Sequence, residues 1–185
     1  GFTPGQFQGN PALDPEASKG WDIGVEQSFF GESLVVDLTY FKADLEDEIQ
    51  TVYPAPTFIG TPDNLDAGSD REGAELSVRH MPSSRTSLDF SYTYTNADEP
   101  AGVEVRRPMH TASFNAAHYL SDRIYLAGNI VYNGEQYDVD FRNGFPSSRT
   151  QLPCYTLVNI NGGYHVTDSL ELYARVENLF DKEYE

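Results

Sequence analysis

Long hydrophobic runs, cysteine and cationic charge are all scarce in this 185-residue chain. No stretch approaches the roughly 20 apolar residues that a membrane-crossing helix needs. That excludes a helical membrane anchor within the sequence and leaves barrels untouched, because only alternate residues of a barrel strand meet lipid. Cys154 is the single cysteine, so an internal disulfide framework is ruled out. Lys and Arg number 12 against 29 Asp and Glu, a net charge of -17, which argues against a nucleic-acid surface. Residues 1–20 carry no charged-then-apolar leader, but a mature exported protein would have shed one. His80, His110, His118 and His165 form no metal box, and no serine sits in a nucleophile elbow. Zinc spacings and phosphate-cradling glycine loops are also missing. The chain thus calls for no catalytic residue, no metal and no cofactor.

Aromatic residues and strict alternation are abundant. Twelve Tyr and 11 Phe suit interfacial girdles, and they suit a soluble β-sandwich equally. Strands are expected at about 20–30, 33–46, 70–81, 86–97, 108–120, 123–138, 154–166 and 169–180. Trp21, Ile23, Val25 and Phe29 share one face, while Asp22, Gly24, Glu26 and Ser28 share the other. Leu34, Val36, Leu38 and Tyr40 oppose Asp37 and Thr39. Ala74, Leu76 and Val78 oppose Glu75, Ser77 and Arg79; Leu88, Phe90, Tyr92 and Tyr94 oppose Asp89, Ser91, Thr93 and Thr95. In the last strand Leu170, Leu172, Ala174 and Val176 alternate with Glu171, Tyr173 and Arg175. A slip of one residue would exchange these faces, so register is strongly specified.

Loop lengths follow a rhythm. Connections 47–69, 98–107 and 139–153 are long. Those around Gly31-Glu32, Pro82-Ser83-Ser84, Ser121-Asp122 and Thr167-Asp168 are short. Short turns at one end and long loops at the other describe an up-and-down outer-membrane barrel. Most of the expected strands also reach the roughly 9–11 residues that a tilted membrane strand requires.

Four segments carry a family resemblance. Asn10-Pro11-Ala12-Leu13-Asp14-Pro15-Glu16-Ala17-Ser18 places two prolines before the first strand, where they favour extended backbone. Gly73-Ala74-Glu75-Leu76, Arg107-Pro108-Met109-His110-Thr111 and Asn178-Leu179-Phe180-Asp181-Lys182-Glu183-Tyr184 follow in order. Together they resemble landmarks of the TonB-dependent outer-membrane receptors. Tyr137-Asp138-Val139-Asp140 and the final run look most like the cobalamin receptors of that family.

The resemblance implies an all-β fold: an antiparallel up-and-down transmembrane β-barrel, present as an incomplete set of about eight consecutive strands. Residues 1–185 would be the C-terminal part of the barrel, with the plug domain and last strand outside the chain. It further implies active transport of a scarce bulky nutrient, cobalamin or a ferric siderophore, across the outer membrane of a Gram-negative bacterium. Implied partners are outer-membrane lipid and lipopolysaccharide, the nutrient itself, and the TonB complex acting through the plug, with no nucleic acid. Alternatives are a small eight-stranded structural or adhesive barrel, and a soluble carbohydrate-binding β-sandwich.

Candidate ligand residues follow from chemistry. Tyr137 and Phe141 offer ring surface to a bulky ligand, and Arg106, Arg107 and Arg142 offer guanidinium forks. The loop from Asp138 to Leu152 is the expected contact segment, with Arg149 also inside it. Glu46, Asp47, Glu48, Asp63, Asp66, Asp98, Glu99 and Glu104 crowd the long connections. A solvated acidic surface explains them without a bound cation.

Overall fold

A computed structural model describes residues 7–65, 67–99, 102–140 and 148–184. Eight long strands form one antiparallel sheet: β1 (Ala17–Phe29), β2 (Leu34–Glu46), β5 (Ser69–Ser83), β6 (Thr86–Glu99), β8 (His110–Ser121), β9 (Ile124–Asn133), β12 (Tyr155–Thr167) and β13 (Leu170–Val176). Each pairs with the next in that order, and the short β7 (Gly102–Val103) adds to β6. Two hairpins stand apart from the sheet: β3 (Ile49–Val52) with β4 (Thr61–Asn64), and β10 (Gln136–Asp140) with β11 (Ser148–Leu152).

The register confirms the two faces. Val25, Leu38, Leu76, Tyr92, Ala112 and Tyr132 lie in one cross-strand row. The next row is Val36, Val78, Phe90, Phe114, Ile130 and Val158. One residue over, the opposite face carries Arg79, Asp89, Asn115, Asn129 and Asn159 in a single row. There Arg79 Nε meets Asp89 Oδ1 at 3.3 Å and Asn159 Nδ2 donates to Asn129 Oδ1 at 2.9 Å. Directly opposed residues share a face, so the apolar residues form one continuous surface.

That surface is exposed: Trp21, Ile23 and Val25 keep 56%, 67% and 61% of their accessible area. Among the described residues no second sheet packs over this bare apolar face, which removes the soluble sandwich. The sheet ends on β1 and β13, and among the described residues no ladder joins those two edges. The small closed barrel is therefore not what these strands build.

The short-turn end repeats one device. The β1–β2 turn places Phe30, Gly31 and Glu32 at φ of 53°, 64° and 69°. At the other turns β5, β8 and β12 shift register just before reversing, between His80 and Ser83, Tyr119 and Ser121, and His165 and Thr167. Bulges of this kind are frequent at barrel rims. Neighbouring turns are tied by backbone bonds from Met81 to Ser33, Tyr119 to Arg85, and His165 to Arg123, at 2.7, 2.8 and 2.8 Å.

Several expected boundaries are corrected. The first strand begins at Ala17, three residues before the expected start at 20. The sixth stops at Asn133 and does not run to 138. Gly134 passes so close to β8 that an added Cβ would lie 2.6 Å from the His110 carbonyl oxygen. The chain breaks there and resumes as β10, so the expected 139–153 loop is a hairpin opening at Gln136. The last strand ends at Val176, not 180, because Asn178 and Asp181 take φ of 48° and 49°.

Candidate functional site

The long connections all emerge at one end of the sheet, and their charges are wired together. Arg71, near the start of β5, is the hub: its guanidinium donates to Glu104 at 2.9 and 3.2 Å and stands 3.9 Å from Glu48. Arg107 meets the same Glu104 carboxylate at 2.9 Å. Ser69 donates to Glu48 and is only 3% exposed; Ala97, beneath Glu104, is 4% exposed. The Glu104 backbone N–H also donates to the Ala97 carbonyl at 2.9 Å. Burial opposes ionisation of Glu104, but the bonds from Arg107 and Arg71 outweigh it and hold the carboxyl below its usual range.

The β10–β11 hairpin is fixed to this hub from both strands. The Arg106 backbone N–H donates to the Tyr137 carbonyl at 2.6 Å, and its Nε donates to Asp138 Oδ1 at 2.8 Å. Arg106 reaches this pose with a φ of 59°, a left-handed conformation that a bulky residue adopts only when held. From β11, Arg149 donates to the Glu99 carboxylate and to the Val103 carbonyl. The Val139 backbone N–H and then the Arg106 guanidinium depress the Asp138 carboxyl below its ordinary value.

The β3–β4 hairpin is tied to the segment preceding β1. Asn64 accepts the Asp14 N–H at 2.8 Å and donates to the carbonyls of Asp14 at 3.0 Å and Asp47 at 2.6 Å. Glu16 Oε1 accepts the Ile49 N–H at 2.8 Å. Asn10 Oδ1 accepts the Ala12 N–H at 3.0 Å, turning the chain at the first proline. The proline-rich stretch is thus the docking strip of a loop hairpin as well as a lead into β1.

Below the loops, aromatic residues line the apolar face. Tyr40 Oη donates to Glu72 at 3.0 Å and its ring lies 5.5 Å from that of Trp21. His110 packs against Tyr92 and Tyr94, with ring centroids at 6.1 and 5.3 Å, and its Nδ1 lies 2.8 Å from Tyr92 Oη. The band has the character of an interfacial girdle.

These observations meet in one comparison. The sequence profile described as TonB dependent receptor-like, beta-barrel matches residues 1–179. The chain belongs to the TonB-dependent receptor β-barrel family. The iron-regulated outer membrane virulence protein of Vibrio cholerae serotype O1 is 29% identical over 97% of the chain, which covers 29% of that relative. The vitamin B12 transporter BtuB of Photobacterium profundum is 32% identical over 95% of the chain and 28% of its own length. The ferripyoverdine receptor of Pseudomonas aeruginosa, solved bound to ferripyoverdine, superposes with a TM-score of 0.76 at 20% identity, over 93% of this chain and 24% of that one. The chain spans under a third of the length of these relatives.

Within the family the apolar face meets outer-membrane lipid and the polar face lines the barrel lumen. The bacterial outer membrane is the location of the chain. Of the expected ligand residues, Tyr137 lies on β10, half-exposed and opposite Gln151. Arg106 and Arg107 lie on the connection beside it, each engaged by a carboxylate of this chain. Phe141 and Arg142 lie outside the described residues, as does Asp66. Sequence reasoning did not single out Arg71 or Asn64, because their partners lie 33 and 50 residues away with no local signature.

Proposed function

We propose that the chain forms C-terminal wall strands and external loops of an active outer-membrane receptor that imports a scarce bulky nutrient. Cobalamin or a ferric siderophore is the cargo class, and energy reaches the barrel from TonB through a plug domain. Membership of the receptor family supports the reading. The observation that carries the site is the β10–β11 hairpin, fastened to the loop hub by Arg106 and Arg149. A fastened aromatic hairpin presents Tyr137 without a large ordering cost on binding.

Tyr137, Phe141 and Arg142 are the proposed ligand contacts, with Arg106 and Arg107 beside them. The Arg106 side chain remains 70% exposed, so its outer N–H groups can donate to ligand carbonyls while Asp138 holds the inner one. Lipid and lipopolysaccharide surround the girdle in this reading.

The test uses the full-length receptor. Ligand binding to purified protein is compared with uptake by cells, with and without a protonophore. Uptake stops when the proton gradient collapses, while binding persists. Replacing Tyr137, Phe141 and Arg142 together with Ala weakens binding and leaves insertion intact. Uptake that survives the protonophore would remove energised transport.

A further inference from the structure

Every described arginine at the loop end is answered by a carboxylate of this chain. Arg71 meets Glu48 and Glu104, Arg107 meets Glu104, Arg106 meets Asp138, and Arg149 meets Glu99. Among the described arginines of this end, the guanidinium charge a polyanion would seek is therefore already paired; Lys19 and Lys42 stand on the outward, apolar-face side of β1 and β2, and Arg142 lies outside the described residues. The connection from 47 to 68 carries Asp47, Glu48, Asp63 and Asp66 with no Lys or Arg at all. Asp98 and Glu135 add to the same sign.

We infer that this part of the receptor mouth takes a neutral or cationic nutrient complex and turns away polyanionic chelates. The inference rests on the transport reading and narrows its cargo. A surface with a surplus of one sign of charge sets up a field that repels ions of that sign before contact. A ferric tris-catecholate is a trianion, since three catecholate dianions outweigh one ferric ion. A ferric tris-hydroxamate is neutral, as is vitamin B12 in its cyanide form.

Two further features keep the arginines occupied. Glu104 and Asp138 both hold their protons more weakly than usual, so the pairs persist down to acid pH. The pairs also hold the hairpin in place, so freeing a guanidinium for an anion would loosen the surface that binds. What the paired forks still offer is hydrogen bonding to uncharged acceptors, from Arg106 at 70% exposure and Arg107 at 40%. Tyr137 adds ring area beside them.

The experiment titrates purified full-length receptor in detergent with three probes: cyanide-form vitamin B12, a neutral ferric tris-hydroxamate and an anionic ferric tris-catecholate. At least one neutral probe binds about tenfold or more tighter than the tris-catecholate, with little salt dependence. The isosteric double variant Glu99→Gln with Asp138→Asn keeps a carbonyl acceptor for each guanidinium, so the hairpin stays bonded, but leaves the charges of Arg149 and Arg106 uncancelled, and gains about tenfold toward the tris-catecholate. High salt erases that gain. Equal or tighter binding of the tris-catecholate by the native receptor would overturn the inference and leave transport standing. An unchanged anion affinity in a folded double variant would overturn it as well. Failure of all three probes to bind would overturn the transport reading and the inference together.

Discussion

The backbone N–H of Asn178 donates to the side-chain Oδ1 of Asn159 at 2.8 Å, joining the turn after β13 to the lumen face of β12. The Leu179 N–H adds a bond to the Val158 carbonyl at 2.8 Å. Asn178 then closes its own turn, accepting from the Lys182 N–H at 2.9 Å and donating to the Lys182 carbonyl at 3.0 Å. The Asn-Leu-Phe-Asp run is therefore a fastened turn, and its first asparagine has three separate tasks.

Asn159→Ala removes the acceptor for Asn178 and the donor to Asn129. The cost should be about 0.5–1.5 kcal/mol, the net worth of a hydrogen bond between half-buried partners. Urea unfolding of the lipid-inserted receptor, read by gel mobility, measures it. Asn178→Ala should cost at least as much, since alanine also resists a φ of 48°.

Gly73 stands in the Gly73-Ala74-Glu75-Leu76 motif for a reason of space. A Cβ there would lie 2.1 Å from the Tyr94 carbonyl oxygen and 2.6 Å from Phe41 Cζ. Gly73→Val should therefore separate β5 from β6 locally and cost about 1–3 kcal/mol or more. Lower yield of folded receptor in the outer membrane and a lower urea midpoint are the expected results.

Charge tolerance should differ between faces. Ile130→Arg puts a cation into hydrocarbon near mid-membrane and should cost about 2–4 kcal/mol. Ser77→Arg enters the lumen row beside Asp37 and Ser91 and should be nearly neutral. The same unfolding assay on both variants checks the assignment of faces, and similar costs would contradict it.

The loop hub should respond to acid. Glu104 has a folded pKa below its unfolded value, so its stabilising contribution is present above about pH 4.3 and fades as pH falls through the lowered value. Asp138 has the same sign. Limited proteolysis should thus find residues 102–107 protected at neutral pH and cleaved faster in acid. Glu104→Gln should show faster cleavage at neutral pH and a smaller further change on acidification, the remainder coming from the Arg106–Asp138 pair.

The spanning strands were legible because their faces differ by a simple two-residue period and their turns carry glycine, serine and aspartate. The loop hairpins were not. Pro54, Pro56 and Pro62 mask strand character around β3 and β4. Between Tyr132 and Tyr137 the polar run Asn133-Gly134-Glu135-Gln136 puts the two tyrosines on opposite sides of the two-residue period, and it is there that β9 gives way to β10. Tyr137 and Arg106 could be singled out from residue type, but the bond joining them is a product of the fold. The pairing of Arg149 with Glu99, 50 residues apart, likewise depends on the sheet order that brings their segments together.

The aromatic girdle also sets a length. From Trp21 at the loop side to Phe29 at the turn side, β1 advances about 26 Å, or about 20 Å of vertical height at a typical barrel tilt of about 40°. Bacterial outer membranes are thinner than most bilayers, and a wall of this height suits them. In a thicker membrane the lipid would have to compress around the Trp21–Tyr40 contact or wet the rows beneath it. Those nine residues therefore bias sorting: they favour residence in the envelope layer whose hydrocarbon thickness matches their height.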